Sequence, residues 1–133
     1  MRPPVDSIPD QAILIHPEEW FKAHPLKEGQ TLQGEKIFQS PRSSMSLAIL
    51  KDSVPVVGRH MHSTTDEIVF VVKGTGEMYI NGKWVPVKAG DVHVCPRGVV
   101  HATRSSAGGE LWMIGMYTPP QPKDGHDRIM VDE

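Results

Sequence analysis

The chain has 133 residues, and its 14 lysines and arginines against 16 aspartates and glutamates leave a formal net charge of −2. This length suits one domain, and the near-neutral balance argues against a dedicated nucleic-acid-binding protein, which needs a basic patch for phosphates. No apolar run approaches the roughly 20 residues of a membrane span, and the first ten residues lack the apolar run of a signal peptide. The single cysteine, Cys95, excludes an intrachain disulfide. Composition therefore predicts a single-domain cytoplasmic protein that binds neither nucleic acid nor a membrane.

Residues 1–33 are predicted to lead into the main domain. Within them, Ala12–Ile15 is a short apolar run that could add a strand. Pro17, followed by Glu18 and Glu19, predicts one or two helical turns, because proline suits the first helical position and acids suit a helix N-terminus. The helix is expected to end at His24, since a residue that precedes proline is disfavoured in the α region.

From Gly34 onward, short β-rich runs alternate with glycine and proline, which is typical of an all-β sandwich or barrel. The dipeptide Asn81-Gly82 predicts a hairpin, because a type I′ turn needs positive φ at both central residues. The run Ile68–Val72 is apolar on both faces and is predicted to be covered on both sides. The chain is thus divided into a lead-in (1–33), a barrel (34–118) and a Pro-rich tail (119–133). The eight predicted strands are Glu35–Gln39, Met45–Leu50, Glu67–Lys73, Glu77–Asn81, Trp84–Val87, Asp91–Cys95, Val100–Arg104 and Glu110–Tyr117.

Three histidines and one glutamate stand in a pattern typical of a metal site. His60 and His62 are two residues apart, so in an extended chain both side chains point to the same face. Glu67 opens the next strand after a short polar link, and His101 follows a Pro-x-Gly turn. Three neutral imidazoles and one carboxylate suit a divalent transition metal (Fe, Mn, Ni, Cu, Co or Zn), whereas magnesium and calcium prefer oxygen ligands. Scattered surface histidines are the alternative interpretation.

The segment from residue 58 to residue 105 resembles the two signature motifs of the cupin superfamily. The first motif, HxH, four residues, E, six residues and G, corresponds to His60, His62, Glu67 and Gly74. The second, G, five residues, PxG, two residues, H, three residues and N, corresponds to Gly90, Pro96, Gly98 and His101, with Ser105 where asparagine is usual. The resemblance is to small, single-domain bacterial cupins. It implies an antiparallel β-sandwich closed into a jelly-roll barrel, with a metal on His60, His62, Glu67 and His101.

The resemblance leaves the function open, because one fold hosts many chemistries. The first interpretation is a metal-dependent enzyme acting on a small organic substrate, as a dioxygenase or as an isomerase or lyase. Glu67 would be its catalytic base if that carboxylate leaves the metal. The alternative is a protein that binds a small sugar or acid without turnover. His93 and Glu67 are the only evident titratable groups near the predicted pocket, which favours oxygen chemistry or simple binding over proton transfer.

The resemblance also predicts a homodimer, because small cupins are often dimers. Ile68, Phe70 and Val72 lie on the face of their strand opposite Glu67, and such an apolar face needs cover from a second sheet or a second subunit. In cupin dimers the N-terminal strands pair across the interface. Ala12–Ile15 is therefore the predicted exchange element.

Overall fold

One short helix and ten strands make up the chain in this computed structural model, which describes residues 12–52, 58–122 and 127–131. The elements are α1 (Pro17–Ala23), β1 (Leu32–Gln39), β2 (Ser44–Lys51), β3 (His60–His62), β4 (Asp66–Lys73), β5 (Thr75–Ile80), β6 (Lys83–Lys88), β7 (Val92–Cys95), β8 (Ala102–Ser105), β9 (Glu110–Thr118) and β10 (Arg128–Met130). A five-stranded sheet has the order β1-β2-β9-β4-β7, a three-stranded sheet has the order β6-β5-β8, and β3 pairs with β10. All of these pairings are antiparallel.

The predicted all-β fold with one short helix is confirmed, and each of the eight predicted strands overlaps a strand of the structure. The prediction missed β3 and β10, since three residues carry too little periodicity to indicate a strand. The strand considered at Ala12–Ile15 is not formed: within the described ranges its backbone pairs with no other strand. Ile15 instead packs against the buried cluster beneath α1. The boundaries of the three predicted segments stay a prediction.

The hairpin between β5 and β6 has the turn that the sequence predicts. Asn81 has a φ of 51° and Gly82 a φ of 89°, so both central residues adopt the positive φ of a type I′ turn. The two strands pair in register up to Ile80 opposite Lys83. No helix in the described part of the chain is long and apolar enough to cross a membrane.

The interior of the barrel is apolar over most of its length. Its core side chains come from both of the larger sheets, so their burial closes these two sheets face to face. The core consists of Leu50, Val69, Val71, Met78, Val87, Leu111 and Met113. Each of them is at most 8% exposed. The polar residues of the candidate site therefore lie at one end of an otherwise apolar space.

Helix α1 covers one part of the outer face of the five-stranded sheet. Phe21 is 1% exposed and stacks on Trp112, with ring centroids 5.0 Å apart. Leu47 and Val72 belong to the same cluster. Further along this face, Phe70 is 40% exposed and does not belong to this cluster, so within the single chain β4 is not covered at this residue. Cover by a second subunit stays a prediction.

A glycine of the first motif joins β4 to β5. Gly74 has a φ of +95°, and a Cβ at this position would overlap the carbonyl oxygen of Glu110. We expect Gly74→Ala to lower the free energy of unfolding by about 3 kcal/mol, because both the backbone conformation and the lack of space oppose a methyl group.

The matched control is Gly109→Ala. A Cβ at position 109 would be 3.8 Å from its nearest neighbour, the carbonyl oxygen of Ser106, so a methyl group fits there. Urea denaturation measures both variants. Equal stability of the two would contradict the expected effect at Gly74.

Candidate metal centre

The short strand β3 carries two of the predicted metal ligands at its two ends. His60 and His62 are 8% and 3% exposed, while Met61 between them is half-buried, as expected for alternate residues of a strand. The turn with the Pro-x-Gly motif binds this strand: the amide of Gly98 donates to the carbonyl of His62 at 2.7 Å. His60 and His101 exchange two backbone hydrogen bonds, of 3.0 and 2.7 Å. These bonds bring the second motif beside the first.

The four residues predicted as ligands lie together at this point. One imidazole nitrogen from each of the three histidines lies within 4.8 Å of the others. The Glu67 carboxylate reaches them from the start of β4, with Oε1 3.5 Å from His62 Nε2 and 3.4 Å from His101 Nε2. All four side chains belong to residues that are at most 8% exposed, so the alternative of scattered surface histidines does not apply.

The outer nitrogen of each imidazole ring faces a hydrogen-bond acceptor. His60 Nδ1 donates to the carbonyl oxygen of Gly58 at 2.8 Å, and His101 Nδ1 faces that of Val99 at 3.2 Å. His62 Nδ1 lies 3.5 and 3.4 Å from the two carboxylate oxygens of Asp127. Carbonyl and carboxylate oxygens only accept, so in neutral His60 and His62 Nδ1 carries the proton and Nε2 presents a lone pair to the centre. His101 Nδ1 has a second contact, the Cys95 thiol at 3.1 Å.

A divalent transition metal fits this arrangement. His101 Nε2 is buried and has no hydrogen-bond partner, because its 3.4 Å contact with Glu67 lacks hydrogen-bond geometry. An unpartnered buried nitrogen costs free energy unless a ligand uses its lone pair. Imidazole nitrogens with one carboxylate form a donor set suited to metals such as Fe, Mn, Ni, Co, Cu or Zn.

The electrostatics of the cluster, without a metal, keep Glu67 ionised. Burial by itself would raise the pKa of Glu67, but the imidazoles of His101 and His62 outweigh burial and lower this pKa to about 2. Burial, together with the neighbouring His101 and His62, lowers the pKa of His60 to about 4. Burial also opposes charge on His101, yet the nearby Cys95 thiol and the Glu67 carboxylate raise its pKa to about 10. The pocket therefore combines one anion with imidazoles that differ in basicity.

Three further polar residues surround the cluster, and the sequence analysis missed two of them. Tyr117 lies opposite Glu67 across β9 and β4, and its ring is 6.4 Å from that of His62. Burial and the Glu67 carboxylate raise the pKa of Tyr117 above its ordinary value. Asp127 was missed because it follows the last predicted strand. His93 was noted, and its ring lies 6.5 Å from that of His101.

The sequence alone did not determine which residues of β9 point into the barrel, and their burial in the structure does. Leu111 and Met113 are buried in the barrel core, so Tyr117, which has the same parity, also points inward. Gly115 lies between Met113 and Tyr117 on this face. A Cβ at position 115 would be 3.0 Å from the Tyr117 hydroxyl, so the glycine leaves room for the tyrosine side chain. The signal that could have found Tyr117 is this small residue two positions before an aromatic one.

A small cavity adjoins the cluster through His93. Its volume is about 220 Å³, and its wall includes Val71, Met78, Ile80 and Val85 beside His93. Cavities that hold drug-sized ligands are larger, about 300–1,000 Å³. A groove of about 810 Å³ on the three-stranded sheet contains none of the clustered histidines, and its cation Arg104 is paired with Glu77 at 2.7 Å. His93 is thus the residue that this cavity shares with the surroundings of the cluster.

Comparison with known proteins identifies the family. Residues 49–114 match the family model described as a cupin domain. A protein of Aquifex aeolicus (strain VF5) is 31% identical over 126 residues, which cover 90% of this chain and 98% of that protein. The oxalate-binding protein of Thermotoga maritima is 38% identical over 60 residues, 45% of this chain and half of that protein's length.

A solved structure supports the same assignment at the level of the fold. A Klebsiella pneumoniae protein with a double-stranded β-helix domain superposes with a TM-score of 0.70 at 16% identity, covering 92% of this chain and 100% of that chain. With both motifs in place on this barrel, the chain belongs to the cupin family.

Proposed function

We propose that His60, His62, Glu67 and His101 hold one divalent transition metal. The observation that carries this proposal is the convergence of three imidazoles whose outer nitrogens face acceptors, together with the buried, unpartnered Nε2 of His101. Four protein ligands leave two positions of an octahedral site for a substrate, or one if Glu67 binds through both carboxylate oxygens. Structural sites are usually closed, so this donor set favours a metal that acts on a ligand.

Removal of one ligand tests the metal centre. We expect His101→Gln to lose most of the bound metal, because the remaining ligands no longer enclose the ion. The expected wild-type content is close to one metal per chain, measured by elemental mass spectrometry on protein purified without added metal.

The matched control is His16→Gln, which changes an exposed histidine at the start of α1 whose side chain makes no capping hydrogen bond. Wild-type protein that neither contains nor takes up a transition metal on titration would contradict the metal centre. Equal metal loss in both variants would contradict the assigned role of His101.

We infer that the reaction is proton transfer on a small substrate that chelates through adjacent oxygens, as in an isomerase or a lyase. When bound, the metal would act as a Lewis acid that makes a C–H beside a coordinated carbonyl more acidic. Two further groups flank Glu67 on the inner face, Tyr117 from β9 and His93 from β7. Tyr117 thus adds an acid–base group to Glu67 and His93, the two that the sequence analysis had named.

The protonation states of these two groups suit opposite roles. Burial and the neighbouring His101 lower the pKa of His93, so its imidazole is neutral and can accept a proton. The raised pKa of Tyr117 keeps its phenol protonated, so it can donate to a substrate oxygen. Glu67 is the alternative base if it leaves the metal. His93 is therefore the proposed base, and Tyr117 the proposed acid.

Hydrogen–deuterium exchange at carbon tests this reaction class without knowledge of the natural substrate. We expect the metal-loaded protein to exchange the α-protons of hydroxyacetone or pyruvate in D₂O, followed by NMR. His93→Gln and Tyr117→Phe should each lower this rate by roughly 100-fold or more, because each removes a proton-transferring group. Metal content serves as the control for an intact site.

Wild-type protein that binds metal but exchanges no proton would contradict proton transfer. Oxygen uptake with the same compounds would instead indicate a dioxygenase. The second candidate function, binding of a small acid without turnover, is favoured by the sequence match to the oxalate-binding protein. Tight oxalate binding by calorimetry, without exchange or oxygen uptake, would support that alternative.

We further propose that the chain forms a homodimer through the exposed apolar part of the five-stranded sheet. Phe70, Val92, Val94 and Met116 are 40%, 58%, 59% and 41% exposed. They are contiguous, because Phe70 lies opposite Val92, while Ile68 lies opposite both Val94 and Met116. Exposed apolar patches of this kind commonly mark interfaces.

Two variants separate this surface from exchange of the N-terminal segment. We expect Val94→Glu to convert a dimer of twice 14.7 kDa into a monomer, because a charge cannot be buried there without a partner. Removal of residues 1–16 should leave the dimer if the sheet face carries it and should dissociate it if strand exchange does. Light scattering on a sizing column measures the mass, and a monomeric wild type would contradict the homodimer.

A further inference from the structure

The C-terminal strand β10 buries a carboxylate and exposes its apolar side chains, the reverse of the usual arrangement. Asp127, directly before the strand, is 0% exposed, whereas Ile129 and Met130 are 46% and 56% exposed. A buried carboxylate costs free energy unless it is paired and hydrogen-bonded. The contacts of Asp127, rather than apolar burial, therefore dominate the docking of this strand.

Those contacts lead to the last residue of β3 and to the two residues that follow it. The carbonyl of Asp127 accepts from the amide of Ser63 at 2.9 Å, and Thr64 Oγ1 donates to Asp127 Oδ2 at 3.1 Å. Both carboxylate oxygens face His62 Nδ1, at 3.4 and 3.5 Å. The amide of Val131 closes the pairing by donating to the carbonyl of Arg59 at 3.0 Å. Strand β3 is thus bounded by β10 on one side and by the turn before His101 on the other.

His62 differs from the other two histidines in the charge of the group that faces its Nδ1 atom. His60 and His101 turn Nδ1 toward neutral groups, the carbonyl oxygens of Gly58 and Val99, with the Cys95 thiol also near His101. His62 faces a carboxylate. An anionic partner fixes the Nδ1–H tautomer, orients the ring and makes Nε2 a stronger donor to a metal.

We propose that Asp127 is a positioning residue for the metal ligand His62, and that it couples docking of the C-terminal strand to metal binding. This inference rests on the proposed metal centre and goes beyond it, because it assigns a role to a segment that neither motif includes. Linkage makes this coupling reciprocal. If docked Asp127 strengthens metal binding, then bound metal strengthens the docking of β10 by the same free energy. Metal loading therefore tightens the C-terminal strand.

The test measures metal affinity and not activity. We expect Asp127→Asn to weaken Co²⁺ and Zn²⁺ binding by roughly 10- to 100-fold, the usual effect of losing the partner of a ligating histidine. Competition with a chromophoric chelator gives the dissociation constants, and the visible spectrum of bound Co²⁺ reports the ligand field. Thr64→Val, which removes one hydrogen bond to Asp127 and no charge, should have a smaller effect.

Controls separate positioning from a purely structural role. Glu35→Gln removes one negative charge from an exposed position of β1 and should leave both dissociation constants unchanged. If Asp127→Asn lowers the melting temperature of the metal-free protein but leaves affinity and Co²⁺ spectrum unchanged, Asp127 only fastens the strand and the inference is overturned. A wild type that binds neither ion refutes the metal centre itself, which is a different result.

Wild-type protein provides a second measurement in case Asp127→Asn fails to fold. We expect Zn²⁺ to slow amide hydrogen exchange in residues 128–131, where the amide of Val131 bonds to β3. The hairpin of β5 and β6 is the internal control, because it contributes no ligand. If Zn²⁺ slows exchange equally in both segments, the coupling is overturned. It is also overturned if Zn²⁺ binds but does not slow exchange in residues 128–131.

Discussion

The site depends on how a strand of only three residues is held. A segment this short has few hydrogen bonds of its own, so the positions of His60 and His62 are fixed by its neighbours. The bridge to His101 and the bond from Gly98 hold one side, and β10 holds the other. Both cupin motifs and the C-terminal segment therefore meet on one strand, and a shift of any of them would move two of the proposed ligands at once.

The polar cluster lies in a barrel that is otherwise apolar, and burial shapes its chemistry. Polar groups withdrawn from water need partners, which the outer nitrogens find in backbone carbonyls and in Asp127. The same lack of water drives pKa values apart, so that Glu67 stays ionised while Tyr117 stays protonated. A pocket of this kind can hold a metal and still offer a neutral donor and acceptor nearby.

Much of this could be predicted from the sequence because the signals are local. Strand alternation places His60 and His62 on one face, and Asn81-Gly82 can form its turn without help from the rest of the fold. Other features depend on pairing between distant segments. The inward direction of Tyr117 follows from the register of β9, and Asp127 reaches the site 65 residues after His62 in the chain. The exposure of Phe70 in the single chain depends on which part of the sheet α1 covers.

Three adjacent strands carry residues of the polar cluster and its surroundings on one face and an apolar surface on the other. Along β9, β4 and β7, the inward residues include Tyr117, Glu67 and His93, while the residues between them, such as Phe70 and Val94, point outward. Side chains alternate between the two faces from Glu67 to Val71, before the irregularity between Val71 and Lys73, so a one-residue slip in register there would exchange these two sets. In the proposed dimer, a second copy packed against the outer face would oppose such a slip, so association would support the geometry of the proposed metal pocket through the same three strands.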